Sequence, residues 1–177
     1  MWITKGIDAS SQATPLIRLR TLGAEGFVPH LKLLIGERGG CLGETAAVAI
    51  LLGAALLLIR KAADWRLMTG CAGGALLLSS VFWFANGMKP PDPLWNLLAG
   101  GFLFAAVFMV TDPVSAARTP AGKWITSALA GCLTVMMRRF GAFPEGIMFA
   151  ILMVNAFAPA IDIAVKEWMS KQAKAIT

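Results

Sequence analysis

The sequence predicts an all-α fold, a polytopic membrane helix bundle, and three observations predict it. Hydrophobic residues make up 57% of the 177 and charged residues only 15%, against roughly 45 to 50% and 25% in soluble domains. Leu67 to Met88 is an uncharged run, long enough for the about twenty residues that a crossing takes. Lys and Arg gather between the apolar runs and seldom within them, as anchors beside a bilayer do. The net charge of +6 therefore does not point to nucleic acid, which would call for basic residues collected with aromatics on one face.

The elements follow in order. Residues 1–42 read as a loop region with short helical pieces at most, punctuated by Gly6, Gly23, Gly26, Gly36, Gly39 and Gly40. About five transmembrane segments are expected over 43–165, and 166–177 is expected to be a cytoplasmic tail. The first segment runs from Gly43 to Ile59 and closes at Arg60 and Lys61. The second is Leu67 to Met88, and the third is Pro93 to Thr111 between Asp92 and Asp112. The fourth has only fourteen uncharged residues, Trp124 to Met137, and the fifth runs from Gly146 to about Ile161. Both are short for a crossing, so they either borrow flanking residues or are partly broken helices inside a bundle. Gly53, Gly70, Gly73, Gly74, Gly100, Gly101 and Gly131 read as packing glycines, with Gly70 and Gly74 in a small-xxx-small spacing.

Loop charge sets an expected orientation. Eight Lys or Arg stand in the loops after the first and third segments and in the tail, against three in the other loops, which puts the tail in the cytoplasm. Five crossings then leave the N-terminal loop outside the cytoplasm. With no apolar helix or signal peptide ahead of it to carry it across, the chain reads as the second half of something longer.

Acidic residues mark the segment ends: Glu44, Asp112, Glu145 and Asp162. A carboxylate at such depth is costly unless paired, hydrated or bound to a cation. Pro159 has no N–H for the carbonyl of Asn155, and Asp162 follows within a turn. A free carbonyl beside a carboxylate at a helix break is an arrangement that coordinates Na+ or protons, so Asn155 and Asp162 are candidate residues of a cation path. The plainer alternative is a helix cap, and it applies more strongly to Asp112 and Glu145, whose neighbours look like helix starts and stops. Cys41, Cys71 and Cys132 have neither Cys-x-x-Cys spacing nor a histidine partner and are expected to pack as small apolar groups. His30, the one histidine, reads as an interfacial or loop residue. No catalytic constellation of nucleophile, base and oxyanion donor is readable.

One stretch is unlike the rest. Asp8-Ala9-Ser10-Ser11-Gln12-Ala13-Thr14-Pro15-Leu16 offers a threonine among small residues, and Pro15 holds its predecessor out of helical angles. A modifying enzyme could take such a segment in extended form. The run resembles the flavinylation site of membrane flavoproteins, Asp-x-x-Ser/Thr-x-Ala-Thr, at Asp8, Ser11, Ala13 and Thr14; Gln12 departs from the small residue common there.

Later stretches carry a wider resemblance: Gly39 to Thr45, Phe108 to Ser115, Arg139 to Gly146 and Ala150 to Asp162, in that order after Asp8 to Leu16. Together they resemble one family, that of the D component of the Rnf electron-transport complex and the B component of the sodium-translocating NADH:quinone reductase. The Ala-Thr-Pro-Leu ending and Arg139 to Gly146 look closer to the Rnf member. The resemblance implies FMN joined by a phosphoester to Thr14, with Asp8, Ser11 and Ala13 recognised by a flavin transferase. It implies a bacterial inner-membrane redox subunit that relays electrons beside other subunits and couples them to Na+ or H+ movement. Members are about twice this length and similar to urea transporters, with two five-helix repeats; this chain matches the second. A second, noncovalent flavin or a quinone site would involve the other half. A flavin-free transporter or channel half is the competing class, and Asp8 to Thr14 is the feature such a protein would not need.

Overall fold

The computed structural model describes residues 15–22, 27–36, 46–88, 91–141 and 145–176, and among them every regular element is helical. Asp8, Ser11, Ala13 and Thr14 lie outside the described residues, as do Cys41, Glu44 and Pro144.

Two short helices open the fold, α1 (Pro15–Leu22) and α2 (His30–Ile35). Proline at the first helical position of α1 lacks only an N–H that would have no helical partner. Helix α3 (Ala47–Ile59) is apolar but only 13 residues long, and the chain turns at Lys61 in the left-handed region. Helix α4 (Trp65–Ala85) starts where Asp64 accepts a hydrogen bond from the N–H of Arg66, an N-cap. Helices α4 and α7 (Pro120–Phe140) pack along their lengths, and small residues set their separation. A side chain at Gly74 would run into the backbone of Ala128, and one at Gly131 into the backbone of Cys71 and Ala75. The small-xxx-small spacing thus brings two backbones into contact. Cys71 is fully buried there, and Cys132 Sγ approaches the carbonyl of Gly74 at 3.4 Å.

The expected third segment is interrupted. It holds α5 (Pro93–Leu98), an extended Ala99, Gly100 at φ +66°, and α6 (Phe102–Phe104) running into a π-helical turn, Ala105–Met109. Only glycine adopts that φ without strain, so Gly100 is a chain break and not a packing glycine. The fourth and fifth segments are the reverse case. Helix α7 has 21 residues and borrows flanking residues at both ends, Pro120 to Lys123 and Arg138 to Phe140. Helix α8 (Ile147–Ile176) has 30 residues, passes Pro159 without interruption and continues through the expected tail. Neither is a broken helix.

Two helices are long and apolar enough to cross a membrane, Trp65–Ala85 and Ile147–Lys171, so five continuous spans are not seen among the described residues. Only 33% and 28% of their most apolar stretches are buried, so their apolar faces point outward, unlike those of a soluble core helix. Two packed clusters position the polar groups of the fold. The larger joins α4, α6, the π turn, α7 and α8 around Phe102, Cys71 and Ile147. The other joins Leu16 and Leu33 to Ala47, Trp95, Leu98 and Ala99, and so seats α1 and α2 on α5.

Candidate functional site

The α5–α6 break collects polar groups that a straight helix would not need. Ending α5 at Leu98 leaves its last carbonyls without helical partners. Arg138, in the last turn of α7, supplies them: one guanidinium nitrogen donates to the carbonyl of Asn96 and Nη2 donates to that of Ala99 at 3.0 Å. A cation at a helix C-terminus also meets the negative end of the helix dipole. The guanidinium carbon stands 5.6 Å from the centre of the Phe102 ring, a cation–π distance. The Asn96 amide donates to Ser79 Oγ at 2.8 Å, tying α5 to α4.

Glu145, just ahead of α8, lies at the same point. A Cβ built on Gly100 would stand 3.3 Å from Glu145 Oε1, 3.5 Å from Arg138 Nη2 and 2.9 Å from Leu16 Cδ1. Oε1 is buried and accepts no hydrogen bond from the described residues; a buried acceptor left without a donor costs about 1–3 kcal/mol for a neutral group and more for a charged one. Leu16 is 7% exposed and lies two residues after Thr14 in the sequence. The break therefore brings together Leu16 of α1, a guanidinium and a buried acceptor that has no donor among the described residues.

The segment docked beside it is held by Trp95, whose Nε1 donates to the carbonyl of Val28 at 2.9 Å and whose ring stacks on Phe27 at 5.8 Å. His30 Nε2 meets Asp92 Oδ2 at 3.0 Å, so the histidine joins α2 to the start of α5.

A second polar site lies at the far end of the interrupted segment. Asp112 Oδ1 accepts from the Val114 N–H at 3.2 Å, and Oδ2 from the Ser115 hydroxyl at 2.7 Å. Asn155 Nδ2 donates to Ser115 Oγ at 3.0 Å, linking α8 to this turn. Two helical turns on, Asp162 accepts from the N–H groups of Arg118 and Thr119, at 2.7 and 3.1 Å, and from the Thr119 hydroxyl. Thr119 Oγ1 in turn accepts from the Gly122 N–H at 3.1 Å and caps α7. Gly122 keeps this approach open, since a Cβ there would strike Asp162 Oδ1. Asn155 and Asp162 thus hold two points of one loop and do not converge on a common point. Among the described residues no group of three His, Cys, Asp or Glu gathers as a metal site.

Beside that loop is a cavity of about 760 Å³ whose polar lining includes Lys61, Asp64, Arg118 and Lys123. Lys123 Nζ donates to Asp64 Oδ2 at 2.7 Å, and this ammonium holds the Asp64 carboxyl below the usual carboxylate range against the opposing effect of burial. The Ser115 hydroxyl, then the Val114 N–H, lower Asp112 in the same way.

Sequence reasoning singled out Asp162, Asn155, Asp112 and Glu145 but missed Arg138 as a partner of the third segment. The signal available was a Gly-Gly pair in the middle of one apolar run and an arginine closing another.

Comparison with known proteins agrees with the motif pattern. The model of the NQR2, RnfD, RnfE family matches residues 1–171. The B component of the Na(+)-translocating NADH-quinone reductase of Azotobacter vinelandii is 42% identical over 165 residues, covering 88% of this chain and 41% of that protein. The component of the same name from Neisseria meningitidis serogroup A is 37% identical over 182 residues, covering 96% of this chain and 44% of its own length. The chain spans less than half the length of these relatives. It belongs to the NQR2, RnfD, RnfE family.

Proposed function

We propose that this chain is the flavin-bearing membrane subunit of an ion-translocating electron-transport complex, with FMN joined through its phosphate to Thr14. The observation that carries the reading is the junction at Leu16. The residue that closes the flavinylation-like run is buried against Gly100, beside an acceptor that has no donor among the described residues. A tether rooted in a packed helix keeps its cargo at high local concentration near one place. The junction itself anchors the run and is no pocket: a Cβ at Gly100 would already stand 2.9 Å from Leu16 Cδ1 and 3.3 Å from Glu145 Oε1, and Arg138 holds the broken backbone together.

Bound FMN would supply one- and two-electron chemistry that no side chain here offers. The chain's own part is to root the tether at Pro15 and Leu16, to orient the ring and to keep water from the break. The names of the relatives favour a sodium-translocating NADH:quinone reductase as the assembly, whereas Ala13 to Leu16 and Arg139 to Gly146 favour the Rnf complex. Either way the partners are other subunits, a flavin transferase and membrane lipid against the exposed faces of α3, α4 and α8. In this reading the chain is one five-helix repeat of a urea-transporter-like fold in a bacterial inner membrane, with Thr14 on the extracytoplasmic side. A second, noncovalent flavin would belong to the complete protein.

Asn155 and Asp162 remain the proposed cation path, which must work through a carboxylate that also holds Thr119, the cap of α7. Asp162→Asn should then lower cation-dependent turnover with normal flavin content. A variant that loses thermal stability while keeping its sodium or proton dependence would assign Asp162 to the cap alone. The interrupted third segment favours one other reading, a flavin-free transporter half, because interrupted helices line solute sites.

Coexpression with a flavin transferase separates the two. A denatured gel band of this chain should fluoresce under ultraviolet light, and Thr14→Ala should be dark. A dark wild-type band, beside a substrate that the transferase does label, contradicts the flavin reading.

A further inference from the structure

The cavity of about 760 Å³ at the start of α4 and α7 has no part in the flavin reading. Its volume lies within the roughly 300–1,000 Å³ of small-molecule sites. Its lining is of two kinds, the cations Lys61, Arg118 and Lys123 with the carboxylate of Asp64, and apolar groups that include Trp65 and Leu67. Lys123 is committed to Asp64 at 2.7 Å, whereas neither Lys61 nor the Arg118 guanidinium has an acidic partner among the described residues. Two positive charges are left on one cavity. Both are rooted in fixed backbone: the Lys61 N–H donates to the Leu58 carbonyl at 3.0 Å, and the Arg118 N–H to Asp162 at 2.7 Å.

The cavity also stands where a helix enters apolar surroundings. Helices α4 and α7 run parallel, since Asp64 meets Lys123, Gly70 meets Ser127 and Gly74 meets Ala128 in the same order along both. The span long and apolar enough to cross a membrane begins at Trp65. Trp65 and Trp124, both exposed, meet edge to face at 5.8 Å, and tryptophans so placed gather at headgroup level. We propose that this cavity holds the headgroup of an anionic membrane lipid, its phosphate against Lys61 and Arg118 and its acyl end toward Leu67. Basic pockets between membrane helices take such headgroups, because the phosphate offsets charges that water alone would have to solvate. The Arg118 guanidinium supplies a planar fork for two phosphate oxygens and Lys61 a point charge. A zwitterionic lipid would bring its own ammonium to two cations, and a soluble phosphate would leave the apolar lining wet.

The test titrates the purified complex containing this chain, stripped of lipid in a neutral detergent, with short-chain phosphatidylglycerol while its thermal midpoint is read. The midpoint should rise and saturate, and short-chain phosphatidylcholine should leave it unchanged. Lys61→Gln combined with Arg118→Gln should raise the phosphatidylglycerol concentration at half effect about tenfold or more. Without lipid this variant should melt with the wild type, because both side chains are exposed. Arg60→Gln combined with Arg66→Gln removes the same charge outside the cavity lining, and at physiological salt should change the half-effect concentration less than about threefold. Equal responses to the two lipids, equal shifts in the two double variants, or a Lys61 and Arg118 variant that titrates like wild type would each overturn the proposal. Inorganic phosphate or glycerol phosphate acting at the same concentration as the lipid would assign the cavity to a soluble phosphate and overturn the lipid.

Discussion

Helices α4 and α7 and the interrupted α5–α6 segment are built from nearly the same material, apolar runs with glycines inside them, yet one pair is continuous and the other segment is broken. In the pair, Gly74 and Gly131 sit in ordinary helical backbone, and their missing side chains let a second helix lie against the backbone itself. In the interrupted segment, Gly100 has a positive φ, and its missing side chain permits the chain to turn. A backbone break inside apolar surroundings survives only if its freed carbonyls find partners. Arg138 provides them, and it comes from the same helix whose glycine-lined face packs against α4. Packing of the continuous pair thus brings the guanidinium to the break.

The largest effect should come from closing the glycine contact. Gly131→Leu drives a side chain into the backbone of Cys71 and Ala75, which cannot yield as a flexible side chain would. Loss of about 3 kcal/mol or more is expected, seen as a lowered thermal midpoint of the detergent-solubilised complex. Gly73→Leu is the control, since beyond the local helix backbone nothing stands within 4 Å of its Cβ position. Equal melting of the two variants would break the comparison.

Removing the guanidinium should cost somewhat less. Arg138→Ala leaves two carbonyls at the end of α5 without their charged donor, a loss of about 1.5–3 kcal/mol. Faster amide exchange should be confined to 93–104, and Arg138→Lys should restore part of the protection, because an ammonium lacks the planar fork. Exchange spread evenly over α4 and α7 would show that Arg138 supports the pair and not the break.

The smallest effect is a pH dependence of the two lowered carboxyls, Asp64 and Asp112. Asp64 is lowered by Lys123, and Asp112 by Ser115 and Val114. A carboxyl lowered by folding contributes stability that is fully present above its unfolded pKa of about 4 and is lost as pH falls through the lower folded value. Melting should therefore be flat from neutral pH to about 5 and decline below that. Asp64→Asn should remove under about 1 kcal/mol at neutral pH, as expected for a pair still partly open to solvent, and should flatten part of the acid decline.

Much of the helical architecture was legible in the sequence, and the parts that were not share a cause. Helix α4 was plain because Leu67 to Met88 carries no charge. Helix α7 read as too short because Lys123 and Arg138 bound its uncharged core; in the fold Asp64 and the α5 carbonyls partner those charges, so the helix continues past them. Pro159 suggested a break in α8, but one missing N–H did not stop a 30-residue helix. The break in the third segment stayed hidden because Gly100 and Gly101 have the composition of packing glycines, and backbone sign cannot be read from composition. At the candidate site, Asp162 and Asn155 were found as residues but not as a clamp on one loop. Glu145 read as a helix start because its neighbours across the fold, Gly100 and Leu16, are distant in sequence.

The central claim is that Thr14 carries the flavin at the root of α1, and peptide mass measures it directly. Trypsin should release Gly6 to Arg18 from the chain coexpressed with a flavin transferase. The account predicts that this peptide carries the mass of FMN less one water, with the fragment series placing it on Thr14, and that Thr14→Ala yields only the bare peptide. A wild-type peptide of unmodified mass, with the transferase active on another substrate, or FMN located on a different residue, would contradict it.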